Sequence, residues 1–209
     1  MKLQISFDMV DLEQALEVAK HVAPYADILE LGTPLIYRNG IVAVEKFKNA
    51  FPDIALLADT KIVDRGRDIV SLFAKAGANW LTVMAGTNKN VIHAACTAAG
   101  ELNIKIMIDL LDSSSLAQSA LEAKNLGASA LLFHQPFDEQ EALVVMDKWD
   151  MITGNASLPI YASGRIDKST IANFLAMKPY GLVIGKSITE TAQPAQQAEF
   201  FHKLCTEGS

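Results

Sequence analysis

The chain has only two cysteines, Cys96 and Cys205, too few for a disulfide framework or a thiolate metal cluster. No apolar run approaches the ~18 residues that a membrane-spanning helix requires. Acidic residues arrive early, at Asp8 and Asp11, which excludes the apolar segment of a signal peptide. Basic runs are also missing. With 18 Lys plus Arg against 24 Asp plus Glu, the formal charge is −6, so a polyanion such as DNA meets net repulsion. No Pro/Ser-rich linker, low-complexity tract or change of composition divides the 209 residues. Half of them are apolar and 20% are charged, which excludes a disordered chain. What remains is a soluble, acidic, cytoplasmic protein of one domain spanning 1–209, with neither nucleic acid nor membrane as a partner.

What is present is a repeated architecture. Short β-rich runs recur at 3–7, 28–31, 54–58, 80–84, 105–108, 130–133, 159–162 and 182–184, several of them apolar at nearly every position. Between them the apolar period is helical, over 11–23, 68–76, 90–102, 116–126, 139–149, 168–177 and 194–205. In the first of these, Leu12, Ala15, Leu16, Ala19, Val22 and Ala23 form one stripe, opposite Glu13, Gln14, Glu17 and Lys20. Gly77 and Gly127 follow helical segments where a left-handed C-terminal residue is expected, which makes 76–79 and 126–129 equivalent turns. Ser113–Ser115 and Asp167 are candidate N-caps.

Eight strands alternating with helices predict a parallel sheet closed into a compact (β/α)₈ barrel of the TIM type. The length lies near the lower edge of the ~200 to >400 residues of that fold, so loops must be short. An open doubly wound sheet would carry a glycine fingerprint after the first strand, where this chain reads FDMVD.

A barrel places its chemistry at the C-terminal ends of the strands. Those positions hold Asp8, Glu30, Asp59 with Lys61, Asp109, His134, Ser163-Gly164 and Gly185-Lys186. A lone aspartate after a strand is more often a turn former or a helix cap. Four acids at one mouth, however, repel each other without a counter-ion, and a divalent cation shared by two carboxylates suits Mg²⁺. The segment from Asp59 to Asp64 reads D-x-K-x-x-D, and on an ending strand Asp59 and Lys61 point to the same side. After the seventh and eighth strands, Gly164 and Gly185 let backbone N–H groups approach an anion, and Arg165 and Lys186 add positive charge. His21, His93 and His202 lie away from strand ends. Cys96, Met84, Met107, Met146 and Met177 read as packing residues.

Asp8, ELGT at 30–33, ADTKIVD at 58–64, MIDL at 107–110, His134 and the two glycine loops together resemble the orotidine 5′-monophosphate decarboxylase superfamily. Within it, the chain is most similar to the 3-hexulose-6-phosphate synthase and 3-keto-L-gulonate-6-phosphate decarboxylase group, from Lys2 to about Ala198. That resemblance implies a (β/α)₈ barrel forming a homodimer with active sites at the interface. Glu30 and Asp59 would hold Mg²⁺, and Lys61 would lie beside the oxygens of a 1,2-enediolate. Asp64 would reach into the partner's site. Asp8 and Asp109 would complete the polar floor, His134 would move the substrate proton, and Gly164, Gly185 and Lys186 would take the phosphate of a sugar phosphate.

In the synthases of this group, the enediolate forms from D-ribulose 5-phosphate and attacks formaldehyde. In the decarboxylases, loss of CO₂ from 3-keto-L-gulonate 6-phosphate generates the same kind of intermediate. The decarboxylases resemble H-R-S-R-D after the histidine, whereas this chain has Phe137 in place of the second arginine and keeps Asp138, which favours the synthase. The chain departs from the synthases at Glu139-Gln140-Glu141-Ala142-Leu143, at Ser163-Gly164-Arg165 and at Gly185-Lys186-Ser187. A third reading is a non-catalytic sugar-phosphate-binding barrel. The intact set of acids, lysine and histidine argues against it.

Overall fold

Residues alternate along the first strand, K-L-Q-I-S-F, and that period of two sorts the molecule into layers. Leu3, Ile5 and Phe7 are fully buried under the surrounding helices, while Gln4 and Ser6 point to the barrel interior. A computed structural model describes residues 1–134 and 142–207. The strands are β1 Lys2–Phe7, β2 Ile28–Leu31, β3 Ala55–Ile62, β4 Trp80–Met84, β5 Lys105–Asp109, β6 Ala130–His134, β7 Ile160–Ser163 and β8 Gly181–Ile184. Each pairs in parallel with the next, and β8 returns to β1 with Gln4 opposite Val183, closing the predicted (β/α)₈ barrel.

Around the sheet run α1 Leu12–Val22, α2 Thr33–Asn39, α3 Ile41–Ala50, α4 Gly66–Lys75, α5 Lys89–Glu101, α6 Leu116–Ala123, α7 Ala142–Thr153, α8 Ile171–Ala176, α9 Lys186–Thr189 and α10 Pro194–Glu207. The outward residues of the strands and the inward stripes of the helices make one continuous core. A second apolar cluster fills the lower barrel: Ile28, Leu57, Met107, Leu132, Tyr161 and Val183, with Ala130. Above this plug the same inward rows turn polar. None of the described helices is long and apolar enough to cross a membrane.

Asp11, expected as the first residue of the first helical segment, is instead the N-cap of α1, accepting from the Gln14 amide at 2.9 Å. The two glycine turns are as expected. Gly77 and Gly127 have φ of 103° and 94°. In the two turns, Ala78 N donates to Phe73 O at 3.1 Å and Ala128 N to Ala123 O at 3.0 Å, so they are equivalent.

Other expectations need correction. The segment between β2 and β3, where the sequence predicts no helix, holds two. Gly40, at φ 59°, breaks them apart, and Leu35, Ile36, Ala43, Val44 and Phe47 are their buried faces. Strand β3 continues past Ala58 to Ile62, with a register shift against β4 between those residues. The helix expected from 168 begins at Ile171, because Asp167 first closes a turn, accepting from the amides of Ser169 at 2.7 Å and Thr170 at 3.0 Å. Met146 is 39% exposed, unlike the buried Met84, Met107 and Met177. Phe137, Asp138 and the first three residues of the departure at 139–143 lie outside the described residues.

Candidate active site

The inward rows of the strands end in functional groups above the apolar plug. Two residues on from it, Ile28 leads to Glu30, Leu57 to Asp59, Met107 to Asp109, Leu132 to His134 and Val183 to Gly185, while on β1 the inward row runs from Gln4, level with Ile28, through Ser6 to Asp8. Asp8 is wedged between two glycines. A Cβ on Gly32 would lie 2.3 Å from Asp8 Oδ1, and one on Gly185 would lie 2.9 Å from Oδ2. Neither position has room for a side chain while the carboxylate stays where it is.

Glu30 accepts a hydrogen bond of 2.6 Å from Gln4 Nε2. Asp59 is held on both oxygens: Thr82 Oγ1 donates to Oδ1 at 2.7 Å, and Thr33 Oγ1 donates to Oδ2. Lys61 sits in the left-handed region at φ 44°, where β3 slips against β4. Its backbone N–H finds the Thr82 hydroxyl at 2.9 Å in place of a ladder carbonyl. Its ammonium donates to Asp109 Oδ2 at 2.7 Å and lies 3.2 Å from Asp59 Oδ2. The expected meeting of Asp59 and Lys61 is therefore real, and it is made by a kinked strand. His134 Nδ1 is 3.3 Å from Asp109 Oδ2, so Asp59, Lys61, Asp109 and His134 form one chain across the mouth.

The electrostatics separate these groups. Burial lowers the proton affinity of Lys61, but Asp59 and Asp109 outweigh it, and the net shift is upward. Lys61 is thus a fixed cation. Burial pushes Asp109 up, yet the His134 hydrogen bond and the Lys61 charge prevail, and its carboxyl lies below the usual range. An ionised carboxylate can only accept, so Nδ1 of His134 carries the proton and Nε2 is left as a base. Glu30 goes the other way: burial, then the charges of Asp59 and Asp8, push it up to about 8 despite the Gln4 bond. Asp8 is also raised, by burial and then Asp59, with Lys186 opposing.

A cavity of about 410 Å³ opens at this mouth. Asp8, Glu30, Asp59 and His134 line it together with Gly164, Arg165, Gly185 and Lys186 from the last two loops. Ser187 ties those loops together, donating to Ile166 O at 2.7 Å. Lys61 and Asp109 join the cavity through Asp59 and His134. Asp64 does not join it: it is exposed, and its carboxylate accepts from the Arg65 amide at 2.7 Å.

Magnesium fits the donor set. Among the described residues no three His, Cys, Asp or Glu side chains form a ready-made cage. Mg²⁺ does not require one, since it binds through one or two carboxylates and keeps positions for water and substrate. Glu30 and Asp59 are both buried, and the charge of Asp59 adds to the burial that disfavours ionised Glu30. A divalent cation between them relieves both effects.

The residues overlooked in the sequence are neutral. Gln4, Thr33 and Thr82 orient the acids but look like ordinary strand and helix residues. Their one signal is parity, for Gln4 and Thr82 occupy inward positions where an apolar residue is expected.

A closed parallel barrel with an acid–lysine–histidine chain at its C-terminal mouth defines a (β/α)₈ barrel of the decarboxylase superfamily type. The chain belongs to the Orotidine 5′-phosphate decarboxylase / HUMPS family, which matches it over residues 1–201. A 3-hexulose-6-phosphate synthase from Bacillus subtilis is 31% identical over 212 residues, covering 100% of both chains. Another from Mycobacterium gastri is 34% identical, over 95% of this chain and 97% of that one. Among solved structures, the 3-keto-L-gulonate-6-phosphate decarboxylase from Vibrio cholerae superposes with a TM-score of 0.87 at 26% identity, covering 100% of this chain and 98% of that chain.

Proposed function

We propose that the chain is a 3-hexulose-6-phosphate synthase, condensing formaldehyde with D-ribulose 5-phosphate through a 1,2-enediolate. The observation that carries this reading is the pairing of His134 with an ionised Asp109 that also holds the Lys61 ammonium. That pairing puts a base and a fixed cation within one hydrogen-bonded chain. His134 Nε2 takes a proton from carbon 1 of the sugar phosphate. Lys61 stands against the negative charge that then develops on the adjacent oxygens. Carbon 1 forms its new bond to the formaldehyde carbon, whose oxygen takes up a proton. Arg165, Lys186 and the backbone at Gly164 and Gly185 hold the phosphate. Mg²⁺ held by Glu30 and Asp59 would supply Lewis acidity and a template for the substrate oxygens.

Purified protein with Mg²⁺ is expected to consume formaldehyde with ribulose 5-phosphate and to lose that activity in EDTA or as Asp59→Ala. CO₂ release from 3-keto-L-gulonate 6-phosphate, without formaldehyde consumption, would replace this reading by the decarboxylase. Binding of either sugar phosphate without turnover would favour the non-catalytic barrel. The exposed position of Asp64 supports a homodimer in which it completes the partner's site. In the same assay, mixed Asp64→Ala and Lys61→Ala chains then regain activity that neither has alone.

The metal reading also predicts a pH dependence of stability. Glu30 shifts from 4.5 to about 8, so between those values the metal-free native state binds more protons than the unfolded chain. Stability is greatest at the low end of that window and falls as pH rises through it. Bound Mg²⁺ replaces the proton and flattens the slope. Melting temperatures measured across the window with and without Mg²⁺ check this, and identical slopes would count against Glu30 as a ligand.

A further inference from the structure

Among the described residues, Gln4 Oε1 is the one buried side-chain nitrogen or oxygen with no hydrogen-bond partner. Gln4 is fully buried, and it faces Ile28 and Val183 on its two neighbouring strands, within the apolar plug. A carbonyl left unpaired in such surroundings is unfavourable, and an aliphatic side chain would fill the layer without that penalty. The oxygen side of the amide gives no reason for a glutamine here. Its nitrogen side does, for Nε2 donates to Glu30 Oε2 at 2.6 Å.

The two acids read as the metal pair are thus held alike, by neutral donors from neighbouring segments. Thr33 and Thr82 grip both oxygens of Asp59. Glu30 has Gln4, which binds one oxygen from below and stops the carboxylate turning about its last bond. The other oxygen then keeps a constant direction at the cavity wall. Outer groups of this kind set the direction and basicity of a metal ligand, and their loss typically weakens metal affinity about 10–100-fold.

We infer that Gln4 is a positioning residue for metal binding: its amide fixes the Glu30 carboxylate in the orientation that receives the cation. This rests on reading Glu30 and Asp59 as the Mg²⁺ ligands, and the test separates the two claims.

Mn²⁺, a paramagnetic stand-in, is titrated into the full chain and free ion is followed by electron paramagnetic resonance. Four proteins are compared: wild type, Gln4→Met, Glu30→Gln and the double variant, with circular dichroism as the check on folding. The expected result is a Gln4→Met chain that folds and binds Mn²⁺ about 10–100-fold more weakly. In the Glu30→Gln background the Gln4 substitution is expected to have no further effect, because the group it acts through is gone. Unchanged affinity in Gln4→Met overturns the inference while leaving the metal pair intact. An equal loss in both backgrounds overturns it too, since Gln4 would then act on the site in general. Failure of both Gln4→Met and Gln4→Leu to fold assigns Gln4 to the fold alone. A wild type that binds no Mn²⁺ overturns the metal reading and this inference with it.

Discussion

Lys61→Ala is expected to lower kcat/KM for formaldehyde fixation about 10²–10³-fold, the usual effect of removing one preorganised charge from a developing oxyanion. Lys61 cannot serve as the base, because Asp59 and Asp109 hold its proton more tightly than water does. Its contribution is therefore charge at a fixed place, made rigid by the left-handed kink at φ 44° and the Thr82 hydroxyl. The fall should appear mainly in kcat, since the interaction strengthens only as the enediolate forms.

Two further readouts separate this from a damaged fold. Removing the ammonium leaves a buried Asp109 facing Asp59 uncompensated, and breaking a buried pair in this way costs about 3–5 kcal/mol. The variant should melt lower yet still fold. It should also bind Mn²⁺ at least as tightly as wild type, because a cation beside Asp59 has been removed. Lys61→Arg should not restore the rate, as a planar fork does not occupy the place of a compact ammonium. Activity of Lys61→Ala within about tenfold of wild type would contradict the role assigned here.

The charged part of this site was legible from the sequence because eight strands could be counted and acids, lysines and a histidine coincide at the ends of six of them. Asp8, Glu30, Asp59, Asp109 and His134 all stand at the mouth for that reason. The supporting hydroxyls and amide were not legible. Thr82 reaches Asp59 only through the register of β4 against a slipped β3, and no spacing within either strand encodes that slip. Gln4 was visible as a polar residue at an inward position, but its partner lies on another strand. The short α2 and α3 were hidden by Gly40, which interrupts the periodic signal after only seven residues of α2. Asp64 is different again. Its place in the sequence motif marks it as functional, yet within one chain it points into solvent, so the role proposed for it needs a second chain.

Deuterium exchange gives the sharpest test of His134. Ribulose 5-phosphate incubated with the enzyme in D₂O, without formaldehyde, should incorporate deuterium at carbon 1, because proton removal precedes carbon–carbon bond formation. His134→Ala is expected to slow this exchange about 10²–10⁴-fold, the range for losing a positioned general base. Asp109→Asn should give a loss of the same order. An amide can donate to Nδ1 where the carboxylate only accepts, which would place the ring proton on Nε2 and block the base. That substitution also strips Lys61 of its closer partner, at 2.7 Å, so exchange and fixation should both suffer, since each passes through the enediolate. In His134→Ala both reactions should fall together, since the same proton is needed for each. Should the chain be a decarboxylase instead, His134 would deliver a proton after CO₂ has left. The alanine variant would then still release CO₂ and would fail at the later protonation, a separation that the exchange and fixation rates of the synthase cannot show.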